Sequence, residues 1–356
     1  MNNNKLILLA TILIVAVAVL VLKNKLSSRA PAESELKLFP TVTEKNISAI
    51  TIREGTARIS LRKQGEVWVV SKPEAGSKEP AAAPAAPLSP LMDDSGTTAA
   101  SQGTEYPVDS AAITSALEKI VSLEKTTLIS EKPEKQTIFE VDTTKGIQVE
   151  LFGAASKSVG TVIIGKTGPD YNSNYVRKIG SDSVFMAQGG IRYAFFTDLN
   201  RWRDKSIVKF DKATAQGLTL ARNDGSMITI AHADSGNPWE ILAPIKNPAK
   251  TDVVESILDK LSNLLATDFQ DEPLPDSAMG FDKPEIGVTV SFKNGSSRNI
   301  IFGKKNKDNK YWVKVEGKEQ IFLVSEYVFN QVNKKLDDLK GEPLVKPVLS
   351  DSTKKK

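Results

Sequence analysis

Apolar residues alternate with polar ones in short runs that recur, in the same order, in both halves of the chain. The first half contains Ile50-Thr51-Ile52-Arg53, Ile59-Ser60-Leu61 and Trp68-Val69-Val70-Ser71-Lys72-Pro73. The second contains Leu218-Thr219-Leu220-Ala221, Ile228-Thr229-Ile230 and Trp239-Glu240-Ile241-Leu242-Ala243-Pro244. Alternation with period two marks strands that bury one face. A run with helical period follows in each half, ending at Leu123 and at Leu264. Its apolar stripe, Ile113, Leu117, Ile120 and Leu123 in the first half, is suited to lie on a sheet. Asp109 and Asp252 are the expected N-caps, and Glu255 is placed to complete a capping box.

The duplication extends further. Phe139 and Asp142 align with Phe281 and Asp282, and Gly146–Leu151 with Gly287–Phe292. Ile163-Ile164-Gly165-Lys166 aligns with Ile301-Phe302-Gly303-Lys304, Tyr175-Val176-Arg177 with Trp312-Val313-Lys314, and Phe185 with Phe322. Helices are predicted over 191–203 and 325–339. The repeat is too long for a solenoid unit. The pattern predicts an α+β fold of two similar lobes from an internal duplication. Each lobe is expected to hold small antiparallel sheets covered by helices, in the order A-B-A-B.

The N-terminus has a different pattern. Leu6 to Leu22 is apolar except for Thr11, with Lys5 and Lys23 on its flanks. At ~1.5 Å per residue such a helix just spans a thin hydrocarbon core. A cleaved signal peptide needs small residues next, yet Lys23, Asn24 and Lys25 follow, so an uncleaved transmembrane helix is expected. Basic residues on its C-terminal side slightly outnumber those before it, which by charge alone favours a cytoplasmic body. The expected division is an anchor at 1–29, a first lobe at 30–205, a second at 206–340 and a disordered tail at 341–356. Residues 74–107, rich in Pro and Ala, read as a mobile insertion within the first lobe.

Composition narrows the chemistry. Apolar residues make up 40% and charged ones 25%, which is ordinary for a globular body. The net charge of +4 is dispersed, unlike a nucleic-acid footprint. With no cysteine, disulfides, thiolate nucleophiles and thiolate-bound metals are excluded.

Gly160-Thr161-Val162-Ile163-Ile164-Gly165-Lys166-Thr167 satisfies the written phosphate-loop pattern. Its β-branched interior predicts a strand, and Gly168-Pro169 follows where a helix is required, so no nucleotide is expected. His232 is the sole histidine. It has no Ser or Asp at a recognisable spacing, and a hydrolase using it ranks last among the functions considered. Asp93-Asp94 and Asp337-Asp338 read as solvated charge. Trp68 and Trp239 are expected to be equivalent core aromatics, with ligand stacking as the alternative. Arg201-Trp202-Arg203 is either an interaction patch or a helix end. No catalytic residue, cofactor or metal site is expected.

In the order of its motifs the chain resembles the bacterial family of domain of unknown function 4340. The resemblance rests on the apolar N-terminus, Leu38-Phe39-Pro40, Ile47–Ile52, Trp68–Pro73, the Ser115–Leu123 helix, Ile163–Lys166 with Tyr175–Arg177, and Gly280-Phe281-Asp282-Lys283-Pro284. The long Pro/Ala-rich insertion departs from it. The resemblance implies a single-pass inner-membrane protein with a periplasmic body, against the charge count. It also implies association with gliding-motility-type ABC transport systems as an accessory envelope component. The expected function is therefore non-catalytic protein–protein binding, with ABC transporter subunits as partners. The alternative is an envelope module that binds glycan or lipid.

Overall fold

The computed structural model describes residues 36–72, 104–232 and 238–342. The chain divides into two compact units between Asp204 and Lys205. In the first, β1 (Ala49–Glu54), β2 (Ala57–Gln64), β3 (Val67–Ser71) and β4 (Glu105–Pro107) precede helix α1 (Ser110–Val121). β5 (Thr127–Ser130), β6 (Ile147–Phe152), β7 (Ser158–Thr167), β8 (Ser173–Lys178) and β9 (Val184–Gln188) follow, then a 3-10 turn at Ile191–Ala194 and α2 (Leu199–Trp202).

The second unit opens on β10 (Ser206–Lys209), then β11 (Ala215–Arg222), β12 (Met227–Ala231), β13 (Glu240–Ala243), β14 (Asn247–Pro248) and α3 (Thr251–Ser262). After β15 (Asn263–Leu265), β16 (Asp268–Gln270) and α4 (Asp276–Met279) come β17 (Ile286–Phe292), β18 (Ser297–Lys305), β19 (Lys310–Val315) and β20 (Ile321–Ser325). α5 (Glu326–Val332) and α6 (Leu336–Leu339) end it.

Each unit contains one nine-stranded sheet. The orders are β4-β3-β2-β1-β6-β7-β8-β9-β5 and β14-β13-β12-β11-β17-β18-β19-β20-β16. They are the same topology, position for position. The expectation of small sheets is corrected here: β1 pairs with β6, and β11 with β17, so each half-lobe meander continues into the next. The reason is that each of these strands would otherwise present an unpaired edge. The broad α+β character holds, with strands far outweighing helices.

The central strands alternate in burial as their sequences predict. Ile50, Ile52, Ile59, Leu61, Val149 and Leu151 are fully buried, each contributing roughly 1.5–3 kcal/mol of transfer free energy. α1 adds Ile113, Ala116, Leu117 and Ile120 to the same core. Its first turn is capped by Asp109, whose Oδ1 accepts the Ala112 N–H at 2.8 Å. The second lobe departs from the predicted capping. α3 begins after Lys250, so Asp252 lies inside its first turn. Glu255 turns instead to the Trp239 indole and Lys212.

Four further differences are physical. The helix predicted over 191–203 is a 3-10 turn and one short helix, separated by extended Phe195. The helix predicted over 325–339 is likewise two short ones. Glu105–Pro107, placed in the insertion, pair with β3. The ladders also shift one repeat alignment. Thr51 faces Glu150 and Thr219 faces Thr289, so Ile147 matches Ile286 and not Val288. A slip of two keeps every side chain on its face, and a period-two pattern cannot detect it.

Among the described residues no helix is long and apolar enough to cross a membrane. Leu6–Leu22, most of the insertion and nearly all of the tail lie outside those residues.

Gly165 and Gly303 occupy matched places in β7 and β18. A Cβ on Gly165 would collide with the Phe139 carbonyl oxygen, and one on Gly303 with that of Met279. Gly280, at φ +80°, and Glu140, at φ +57°, carry the two crossing loops through the same left-handed bend. Val141 and Phe281 each donate an N–H to the carbonyl five residues back, Gln136 and Asp276. Met279, not Phe281, is therefore the counterpart of Phe139. Gly165→Ala and Gly303→Ala should each cost about 1–3 kcal/mol through overpacking. Denaturant unfolding measures this, and unchanged stability would show that the loops yield freely.

Candidate functional site

The phosphate-loop lookalike lies wholly within β7. Its glycines are accounted for by packing. A Cβ on Gly160 would lie 2.5 Å from the Phe39 ring, and Gly165 lies under the crossing loop. The Lys166 N–H donates to the Phe139 carbonyl at 3.2 Å. The Leu38-Phe39-Pro40 motif thus has a packing role, with Phe39 buried over β7.

Trp68 and Trp239 hold matched backbone positions. The Trp68 carbonyl accepts the Val108 N–H at 2.9 Å, and the Trp239 carbonyl the Ala249 N–H at 2.9 Å. Their side chains differ. Trp239 is buried, donates its indole N–H to Glu255 Oε1 at 2.9 Å and takes the His232 ring edge-on at 4.0 Å. Trp68 is half-buried against the first core. Burial pushes the Glu255 pKa up, but the Trp239 indole and Lys212 outweigh it, leaving the carboxyl below its ordinary value. His232 stands where the first lobe has Lys63: their backbone N–H groups donate to the matched Gln216 and Ser48 carbonyls.

The Arg201-Trp202-Arg203 segment is mostly interior. Trp202 is fully buried and donates its indole N–H to the Phe196 carbonyl at 2.9 Å. Its carbonyl accepts the Asp109 N–H at 2.7 Å, tying the segment to the start of α1. Arg203 is buried, with its guanidinium 3.6 Å from the Tyr106 ring centre. Arg201 alone is exposed, stacked at 3.9 Å over Phe196. As a surface patch the segment reduces to Arg201.

The turn announced by Gly168-Pro169 forms the tip between β7 and β8 and carries an exposed aromatic ring. Tyr171 is 85% exposed and sits at φ +59°. The matched turn of the second lobe has Asn309 at φ +58°. In both turns this residue's N–H bonds back to the turn's first residue, Gly168 or Asn306. Asparagine adopts the left-handed region with little cost, whereas a bulky tyrosine does not. Asp170 Oδ1 holds the tip by accepting the Asn172 and Ser173 N–H groups at 3.3 and 2.9 Å, and Oδ2 accepts Gln188 Nε2 at 3.1 Å. The Gly190 N–H donates to the Asn172 carbonyl at 2.6 Å, joining this tip to the loop bearing exposed Tyr193. Hydrogen bonds from Ser173 chiefly, then from Gln188 and Asn172, lower the Asp170 pKa to about 2. Among the described residues no group of three His, Asp or Glu side chains is placed to hold a metal.

Two outcomes follow from this geometry. Trp239→Ala should cost about 3–5 kcal/mol, and Trp68→Ala clearly less because it is only partly buried. Equal losses in thermal melts would contradict the difference in burial. For Asp170, the folded pKa lies below the ordinary 3.8. Its contribution is therefore complete above that pH and lost as pH falls through about 2. The Tyr171 amide resonance should titrate with that low midpoint, and a midpoint near the ordinary value would show the tip is loosely tied.

No curated protein and no solved structure matches the chain. The profile of one family matches residues 100–284 and 239–350, which together take in both lobes from the end of the insertion onward. The chain belongs to the family described as Domain of unknown function (DUF4340).

Proposed function

We propose that the chain is a non-catalytic, membrane-anchored accessory or scaffold protein of a bacterial envelope or ABC-type transport complex, acting by protein–protein binding. In this reading Leu6–Leu22 is the inner-membrane anchor and the body is periplasmic. The two lobes descend from an internal duplication, a view supported by their identical strand orders.

The observation that carries the binding role is Tyr171. The second lobe meets the same backbone requirement with Asn309, the residue type that turn chemistry prefers. An exposed tyrosine there gains nothing for the fold. Aromatic residues are favoured at protein interfaces because they offer large contact area at small entropic cost. Tyr193 on the adjoining loop enlarges the apolar surface. A rigid tip with two exposed rings suits a protein partner. It also suits sugar stacking, the alternative function.

The test is crosslinking of the full chain in its native membranes, followed by mass spectrometry of the purified adducts. Permease subunits should be recovered with the wild type. Tyr171→Asn, which installs the second lobe's residue, should keep the melting temperature and lose the adduct. Absence of transporter subunits from the wild-type adducts, or an unchanged pattern in Tyr171→Asn, would sink this reading. A C-terminal reporter that fluoresces only in the cytoplasm should stay dark, and a bright one reverses the orientation.

A further inference from the structure

The second lobe carries a cavity of about 370 Å³ lined by Lys209, Phe210, Thr214, Phe292, Lys293 and Arg298, with Asn294 and Ser296 at its edge. It is built where the end of β10 passes the turn between β17 and β18. The Lys293 N–H donates to the Thr214 carbonyl at 3.0 Å, fixing that turn against the Lys212–Thr214 helical turn. Phe210 and Phe292 meet edge to face at 5.1 Å and form the apolar wall. Three cations and no carboxylate line the cavity.

The neighbouring charges are already engaged. Asp211 uses Oδ1 to accept the Ala213 N–H at 3.0 Å. Lys212 pairs with Glu255 at 3.0 Å and Asp259 at 2.6 Å. Glu316 accepts Asn299 Nδ2 at 2.7 Å. Lys209, Lys293 and Arg298 are exposed and, among the described residues, form no ion pair. Arg298 Nη1 reaches only the adjacent Ser297 carbonyl, at 3.1 Å. Converging cations around a low-dielectric wall concentrate positive potential and draw anions.

We infer that this cavity binds a phosphate monoester, with the phosphate held by Lys209, Lys293 and Arg298 and its organic substituent resting on Phe210 and Phe292. A monoester offers three terminal oxygens and close to two negative charges, one oxygen for each cation. A carboxylate offers two oxygens and a single charge. The apolar wall favours an ester over bare inorganic phosphate, because that ion would leave the exposed part of Phe210 uncovered. The ester can come from a soluble metabolite or from a lipid headgroup, and the chemistry is shared. This inference is independent of the proposed partner-binding role, since Tyr171 is in the other lobe.

Calorimetric titration of the full chain with phenyl phosphate, benzoate and dihexanoyl phosphatidic acid tests it. Phenyl phosphate should bind saturably, more tightly than benzoate, and more weakly as salt rises. The combined Lys209→Gln, Lys293→Gln and Arg298→Gln variant should lose about a hundredfold or more in affinity, and Lys293→Gln alone about tenfold. The single variant keeps the test valid if the triple one folds poorly, which the melting temperature reports. Tighter binding of the phosphatidic acid identifies the lipid source, and equal or weaker binding identifies a soluble ester. No saturable binding of either phosphate, benzoate binding as tightly as phenyl phosphate, or an affinity untouched by the substitutions would overturn the inference.

Discussion

The pairing of β1 with β6, and of β11 with β17, is the contact on which each lobe depends. It joins a meander of four strands to a second set of five, and without it neither set would share a core. The strands at this seam bury one face against the core. Ile50, Ile52, Val149 and Leu151 in one lobe, and Leu220, Ile286 and Val290 in the other, are shielded from water. The helix that follows the first meander then has a continuous apolar floor. That is why α1 and α3 each bury a full stripe despite being only twelve residues long.

Around this frame the lobes keep contacts in place while changing the groups that make them. The end of β1 supplies Glu54, which binds Arg192 at 2.7 Å and so fixes the closing 3-10 turn. The matched end of β11 supplies Arg222, whose Nε donates to Asn333 Oδ1 at 2.8 Å and whose Nη2 donates to the Lys334 carbonyl. The charge has changed sides, yet the closing segment is held at the same strand end. The crossing loops behave alike. Arg177 donates Nε to the Val141 carbonyl at 2.9 Å, while Lys314 pairs with Asp276 at 3.1 Å in the second lobe. Burial lowers the Arg177 pKa in doing so. Position is retained more strictly than chemistry.

This explains what was legible in the sequence. Strands with clear alternation, such as Ile59-Ser60-Leu61, and the helix above them carried their own signal. The joining of the meanders did not, because pairing between distant strands leaves no local mark. Register escaped for a different reason, since a slip of two is invisible to period two. The segment 191–203 spaces buried Ile191, Phe195 and Trp202 as one helical face would, yet a 3-10 turn, an extended residue and a short helix carry them in succession, because tertiary packing overrides the local period. The significance of Tyr171 is comparative: only beside Asn309 does its backbone conformation become informative. The cations of the second-lobe cavity are spread across Lys209, Lys293 and Arg298, too far apart in sequence to read as a cluster.

Two sheets of one topology in one chain create a recognition problem during folding. β11 is a close geometric imitation of β1, and β17 of β6, so each strand has a wrong partner of nearly the right shape. Pairing across lobes would entangle the halves. Vectorial synthesis offers a way out. Every strand of the first sheet lies before Asp204, and β11 begins only at Ala215. The first sheet can therefore close on itself before its imitator has been made.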